Sequence, residues 1–158
     1  MQDVQVRPEQ MLLRLDERSL RGLARLQRRN GDLRLYVPYT SAEMTSAALQ
    51  RAVRLAKDLT ASVVLFAVHV VPFPLPLDRP DINVGFLEHR LYAMLRKTDM
   101  TAGIHITFAR DQRLGWEEIL PPHSLIVMAS RKRWWPTPET KLARLLARAG
   151  HSVALLGV

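Results

Sequence analysis

The spacing of apolar residues changes at about residue 31 and divides the chain into two parts. Before that point leucines recur at every third or fourth position with arginines on the other side, which predicts a basic amphipathic helix. Pro8 suits the first turn of such a helix, and Asn30-Gly31 suits its end. The sequence therefore predicts a helical extension at residues 1–32 and a separate domain at residues 33–158.

Short apolar runs alternate with segments of helical spacing throughout that second part. The run at residues 62–71, SVVLFAVHVV, is almost continuously apolar, as is typical of a central parallel strand covered on both faces. Right-handed crossovers between such runs give an α/β fold, a five-stranded parallel sheet with helices on both faces. The predicted strands are residues 33–38, 62–71, 104–109, 125–129 and 153–158, and the predicted helices lie around residues 44–59, 86–95, 116–120 and 139–149.

The connections between these elements carry local signals of their own. Thr40-x-x-Glu43 has the pattern of a capping box and predicts the start of the first helix of the domain. Gly150 stands where the last helix needs a C-terminal cap. The prolines of residues 72–80, PFPLPLDRP, predict an extended and rigid surface loop.

Ligands of open parallel sheets bind beyond the carboxyl ends of the strands, at the point where the strand order reverses. In this chain that point corresponds to the loops at residues 39–43 and 130–138. The second loop, within IVMASRKRWWPTPETKLA, lies between a strand and a helix, which is where α/β proteins usually hold phosphate. The whole stretch lacks glycine, so a side chain stands beside every backbone amide and hinders its close approach to a phosphate group.

Composition limits the class of protein. A chain of 158 residues with 47% apolar and 24% charged residues is one soluble globular domain. The absence of cysteine excludes disulfides, thiolate zinc sites and cysteine nucleophiles, and it suits a reducing compartment. The first residues lack the apolar core of a signal peptide. Prolines break the longest uncharged run, which does not reach the length of a membrane-spanning helix. We expect a cytoplasmic protein, with the cytoplasmic side of a membrane as the alternative.

The formal net charge of +8 is concentrated at the two ends of the chain. Residues 1–34 carry eight arginines and five acids, residues 35–128 carry nine cations and nine acids, and residues 129–158 carry six cations and one acid. This distribution indicates a local basic surface rather than a protein that coats nucleic acid. Since no nucleic-acid-binding motif is present either, nucleic acid is not a favoured partner.

From residue 33 onward the chain resembles a universal stress protein domain. The resemblance rests on LYVPYTSAEMTSAALQRAVRLAKDLTASVVLFAVHVVP, then HSLIVMASRKR, then LARLLARAGHSVALLGV, in that order and spacing. It implies a Rossmann-like fold of the adenine nucleotide alpha hydrolase-like type and a regulatory part in the stress response. Members of the family often dimerise through the last strand, which makes Val153, Leu155 and Leu156 candidate dimer contacts.

Many members of this family bind ATP, and the resemblance assigns that role to a glycine pattern, G-x-x-G, nine residues, then G-S or G-T. Here the first two glycine positions fall on Ala129 and Lys132, and no glycine occurs between Gly115 and Gly150. The first-loop aspartate of the family corresponds to Thr40. We therefore expect no ATP in the family's binding mode, and no other cofactor.

The stretch RKRWWP places three cations beside two tryptophans. This combination suits an acidic partner protein, the headgroup layer of a membrane or a nucleic acid backbone. A structural interpretation is that one tryptophan packs over the emptied pocket while the cations remain solvated. The candidate ligand or partner residues are Thr40, Ser41, Ala129, Ser130, Arg131, Lys132, Arg133, Trp134 and Trp135.

The sequence contains no set of residues that predicts catalysis. The five histidines are scattered without the spacing of a metal site. Glu117 and Glu118 are adjacent on a predicted helix and so diverge, and no G-x-S-x-G surrounds Ser130. We expect neither an enzyme nor a metal site.

The leading hypothesis is a non-enzymatic regulatory or interaction domain that has lost family-type ATP binding. It would form a homodimer, and it could be attached to a membrane transporter or contact a membrane surface. The alternative is a sensor domain that binds an anionic metabolite or nucleotide through Arg131, Lys132 and Arg133.

Overall fold

The computed structural model describes residues 32–98 and 102–158, together with Gly22. The predicted N-terminal helix falls outside the described residues except for that glycine. Five strands and four helices alternate along the described part of the chain. They are β1 (Arg34–Pro38), α1 (Ala42–Leu59), β2 (Ser62–Val70), α2 (Val84–Arg96), β3 (Ala102–Ala109), α3 (Gln112–Ile119), β4 (Leu125–Ser130), α4 (Pro138–Arg148) and β5 (Ser152–Gly157).

All five strands are parallel, and their order in the sheet is β3-β2-β1-β4-β5. This arrangement confirms the predicted fold class. The predicted bounds of most elements are correct to within two residues. Among the described residues, no helix is both long and apolar enough to span a membrane.

Side chains that alternate along the strands build a separate core on each face of the sheet. Every residue of β4 is buried, and its odd and even positions face opposite sides. Leu125 and Val127 belong to the core beneath α1 and α2, whereas Ile126 and Met128 belong to the core beneath α3 and α4. The middle of the sheet is therefore covered on both faces, as the continuous apolar runs predict.

Helix α3 approaches the sheet unusually closely at Gly115. A Cβ atom at this position would lie 3.0 Å or less from both methyl carbons of Val68 and 3.2 Å from Cγ2 of Thr107. Asp111 caps this helix by accepting a hydrogen bond from the Leu114 N–H at 2.9 Å. The helix consequently begins at Gln112, four residues before the predicted start.

Two local predictions at the carboxyl end of the sheet are wrong. The cap of α1 is Ser41, which accepts a hydrogen bond from the Met44 N–H at 3.3 Å, and not Thr40. Glu43 does not complete a capping box, because its carboxylate pairs with Arg131. Residues 72–80 are not extended, since two successive turns fold them back on themselves.

Candidate functional site

The strand order reverses between β1 and β4, because the chain leaves β1 toward β2 on one side and leaves β4 toward β5 on the other. The loops that follow these two strands flank a cleft of about 410 Å³. This is the position at which parallel sheets bind ligands. The cleft is lined by Ser41, Glu43, Met44, Arg131, Arg133, Trp135, Pro136, Thr137, Pro138 and Glu139.

The N-terminus of α4, which would face a phosphate in a nucleotide-binding sheet, is capped by the chain itself. The Thr137 hydroxyl accepts a hydrogen bond from the Thr140 N–H at 3.1 Å, and Pro138 has no N–H to offer. The Oγ1 atom of Thr137 also lies 2.6 Å from Oγ of Ser130 and 2.9 Å from Oγ1 of Thr140. Ser130 and Thr137 are buried and Thr140 is partly buried, and this buried hydroxyl cluster takes up the Thr140 N–H, one of the donors that a phosphate would need.

An ion pair joins the two loops across the cleft. The guanidinium of Arg131 donates from Nη2 to Oε2 of Glu43, in the first turn of α1. Both side chains are about half exposed, so water screens their attraction. An anion that approached Arg131 would compete with a carboxylate already in place.

Lys132 lies apart from the two arginines on either side of it. Its N–H donates to the Val158 carbonyl at 3.1 Å, which extends the pairing of β4 with the end of the chain. Its aliphatic stem crosses Gly157, where an added Cβ would lie 2.6 Å from the Lys132 Cε. Since Arg131 and Arg133 line the cleft and Lys132 does not, the predicted anion site of three cations is wrong as a single cluster.

The two tryptophans of this loop differ in exposure. Trp134 is 90% exposed, and Trp135 is 49% exposed and lines the cleft. Their rings meet edge to face with centroids 5.2 Å apart, and the Arg133 guanidinium carbon lies 5.6 Å from the centre of the Trp135 ring. Trp135 thus borders the cleft from the solvent side, while Trp134 projects away from the domain.

The remaining candidate residues have structural roles. The Thr40 N–H donates to Oγ1 of the buried Thr45 at 3.0 Å, and Thr40 is not among the residues that line the cleft. Ser41 lines the cleft while it caps α1. Ala129 is buried in the core beneath α1, where its methyl group packs against other apolar side chains. The Thr40 N–H is therefore bonded within the domain, and Ala129 lies inside a strand.

Sequence analysis missed a second group of side chains at the same end of the sheet. Arg110, just after β3, donates to the Leu75 carbonyl at 2.6 Å and lies over the ring of Phe73 at 5.6 Å. His69 Nε2 lies 2.7 Å from Asp81 Oδ1, and this hydrogen bond lowers the pKa of Asp81. These contacts attach residues 72–81 to the ends of β2 and β3. The sequence contains only two signs of these contacts. They are Arg110 in ARDQ and Phe73 between two prolines.

Arg90 makes a comparable contact from the second turn of α2. Its Nη2 donates to the Tyr39 hydroxyl at 3.0 Å, and its guanidinium carbon lies 5.9 Å from the ring centres of both Tyr39 and Phe86. The start of α2 is thereby tied to the loop after β1. Within residues 32–98 and 102–158, no three histidine or carboxylate side chains come together as a metal ion would require.

No protein-family model matches the chain, and no curated protein matches it. A solved structure of a universal stress protein in complex with cAMP is similar to it, with a TM-score of 0.45 and 11% sequence identity. That similarity covers 80% of this chain and 96% of the solved one. The structural neighbour comes from the family that the sequence resembles.

Proposed function

We propose that this chain is a non-enzymatic regulatory or interaction domain, located in the cytoplasm, that does not bind ATP in the manner of nucleotide-binding universal stress proteins. The observation that carries the proposal is the buried hydroxyl cluster at the N-terminus of α4. A helix N-terminus attracts phosphate through its unpaired N–H groups. Here the Thr140 N–H is capped by Thr137, and Pro138 contributes no donor.

The surface available for interaction is the loop beside that capped helix. We call residues 131–136, RKRWWP, the tryptophan loop. It carries three cations and no acid. Trp134 is almost fully exposed, and Trp135 is about half exposed. Exposed tryptophan and arginine are the side chains most enriched where proteins bind partners. These features support a recognition surface at the point where the strand order reverses, which is where parallel sheets bind ligands.

Isothermal titration calorimetry tests the absence of nucleotide binding. We expect no heat of binding when ATP, AMP or cyclic AMP is titrated to about 1 mM, which corresponds to affinities weaker than about 4 kcal/mol. ATP binding with a dissociation constant in the micromolar range would contradict the proposed function.

A sensor for a smaller anion is the second candidate, favoured by the cleft that Arg131, Arg133 and Trp135 line. The structure supplies a matched pair of variants for it. Suppose that an anionic metabolite binds, that Arg131→Glu abolishes the binding and that Lys132→Glu preserves it. This result would support the sensor, because of these two residues only Arg131 lines the cleft. Equal loss in both variants would indicate a general effect of charge and would contradict a site in the cleft.

We also propose that two copies of the domain pair through β5. This strand lies at the edge of the sheet and, among the described residues, pairs only with β4. An unpaired edge invites a second strand. Val153 is fully buried and belongs to the core of its own domain, so contacts with the second copy fall to the partly buried Leu155 and Leu156.

Light scattering checks this pairing. We expect the mass of a dimer for the unmodified chain and of a monomer for Leu155→Asp, because a carboxylate at the interface would lose its hydration. Leu145→Asp, on the exposed face of α4, is the control and should leave the dimer intact. A thermal melt of each variant excludes unfolding as the cause. A monomeric unmodified chain would contradict the pairing.

A further inference from the structure

The exposed apolar side chains of the domain are concentrated at one end. Of the eleven large ones among the described residues, only Tyr92 and Leu145 lie in the middle of a helix. The others lie at the last position of a strand, in loops after strands or in the first turns of helices, and all of these positions are at the carboxyl end of the parallel sheet. They are Val70, Phe73, Leu75, Leu77, Phe86, Leu114, Trp134, Trp135 and Val158.

Arginines accompany the aromatic side chains at this end. Arg110 lies over Phe73 and Arg133 lies over Trp135, each at 5.6 Å from the ring centre, and Arg90 lies 5.9 Å from that of Phe86. A guanidinium on an aromatic face remains charged, and those of its N–H groups that make no other bond remain available for further partners. Arg110 uses Nη1 on the Leu75 carbonyl and Arg90 uses Nη2 on the Tyr39 hydroxyl, so each retains other donors. We call Phe73, Arg110, Arg133, Trp134 and Trp135 the aromatic–arginine surface.

The proline loop, residues 72–80, holds its part of this surface in a fixed shape. The Leu75 N–H donates to the Pro72 carbonyl at 3.0 Å, and the Arg79 N–H donates to the Pro76 carbonyl at 3.1 Å. These two turns leave Phe73 85% exposed at the tip of the loop. A tip held in this way loses little conformational entropy when it enters a partner.

Two separate projections therefore point away from the same end of the sheet. One is the tip of the proline loop after β2, and the other is the tryptophan loop after β4. Since β2 and β4 are both neighbours of β1, their ends lie about 10 Å apart. A single flat surface can contact both projections at once, whereas a protein partner would need two pockets at this spacing.

We infer that the aromatic–arginine surface binds a lipid bilayer that contains anionic headgroups. Tryptophan and phenylalanine enter the layer between headgroups and acyl chains, and arginines beside them pair with lipid phosphates and carboxylates. The tryptophan loop has no acid of its own, and although Arg131 is paired with Glu43, Lys132 and Arg133 remain to attract an anionic surface. The proline loop carries Asp78 beside Arg79, and Asp81 just after it is bonded to His69. The inference rests on the proposed function, because it names the partner of the interaction surface.

Co-sedimentation of the full chain with lipid vesicles tests the inference. We expect binding to phosphatidylcholine vesicles that contain phosphatidylserine, much weaker binding to pure phosphatidylcholine, and loss of binding as salt rises. The double variant Trp134→Ser with Trp135→Ser should lower the partition coefficient about tenfold, and Phe73→Ser should lower it about threefold. Leu145→Ser and Tyr92→Ser remove half-exposed apolar side chains away from this end and should have no effect.

Fluorescence locates the contact, because the chain has three tryptophans and the third, Trp116, is buried. In Trp116→Phe all emission comes from the tryptophan loop, and we expect a blue shift when anionic vesicles are added. In the double variant Trp134→Phe with Trp135→Phe all emission comes from Trp116, which should not shift.

Several results would overturn the lipid assignment. They are no binding to either kind of vesicle, equal binding to both kinds, or binding that the double serine variant leaves unchanged. The last result would place the contact elsewhere in the chain, residues 1–31 included. None of these results would affect the calorimetric experiment, so the absence of ATP binding is tested independently of lipid binding.

Discussion

Gly115→Ala is expected to destabilise the domain by about 2 kcal/mol, although alanine is the better helix former. The added methyl group would overlap both methyl carbons of Val68 and press on Thr107. Overpacking costs about 1–3 kcal/mol in well-packed cores, and the approach to Val68 Cγ1, well under 3.0 Å, places this case at the upper end, about 3 kcal/mol. The higher helix propensity of alanine returns about 1 kcal/mol at most. Because Val68 and Thr107 belong to different strands, the strain can be relieved only by lifting α3 off the sheet.

Chemical denaturation of the unmodified chain and of the variant measures this difference in the free energy of unfolding. A thermal melt should show a decrease of about 4–8 °C for a domain of this size. Gly103→Ala is the matched control, because its Cβ would meet only Val64 Cγ2, at 3.9 Å. We expect that control to change stability by less than about 0.5 kcal/mol. A Gly115→Ala variant as stable as the control would show that α3 does not lie as close to the sheet as described.

Thr137→Val should cost a similar amount, about 2 kcal/mol, with almost no change in side-chain volume. The valine would leave the Thr140 N–H without its cap, and the loss of a cap costs about 1 kcal/mol. It would also remove the shortest hydrogen bond of the buried Ser130, at 2.6 Å, and leave it only contacts of 3.3 Å with the Arg131 carbonyl and the Thr140 hydroxyl, which costs about 1 kcal/mol more. The expected loss of stability therefore measures how strongly hydrogen bonds within the chain hold the N-terminus of α4.

Thr140→Val is the control for this experiment, measured by the same denaturation method. It removes hydroxyl contacts with Thr137 and Ser130 but leaves the capped N–H of residue 140 in place. We expect it to cost about half as much as Thr137→Val. If the two variants were equally stable, the cap would contribute nothing, and the N-terminus of α4 would have to be regarded as open to an external anion.

The fold could be predicted because its main signals are local. Strands β2 and β4 are continuous apolar runs, and only a parallel sheet covered on both faces accommodates several of these in one small domain. The start of α3 was missed for an equally local reason. Leu114 is exposed, so the first turn lacks apolar periodicity, and the cap at Asp111 had to be recognised by itself.

The site could be predicted only as far as its position in the fold. Glu43 and Arg131 are 88 positions apart, and no pattern in either segment indicates that they meet. That contact is also why the capping box predicted at Thr40 and Glu43 is wrong, since the acid has a tertiary partner. The direction of Lys132 depends on the bare backbone of Gly157 in another strand. Side-chain directions within a loop thus depend on tertiary contacts that local sequence does not encode.

The strand order has a consequence for how the protein is made. β1 lies in the middle of the sheet, yet one of its two neighbours, β4, is translated almost ninety residues later. A nascent chain that has emerged only as far as β3 can pair β1 with β2 and β2 with β3, which leaves the other side of β1 without a partner. That side, with Leu35 and Tyr36 in register for Leu125 and Ile126, exposes an unpaired strand edge until β4 leaves the ribosome. The order of synthesis thus separates β1 from the strand that completes its hydrogen bonding.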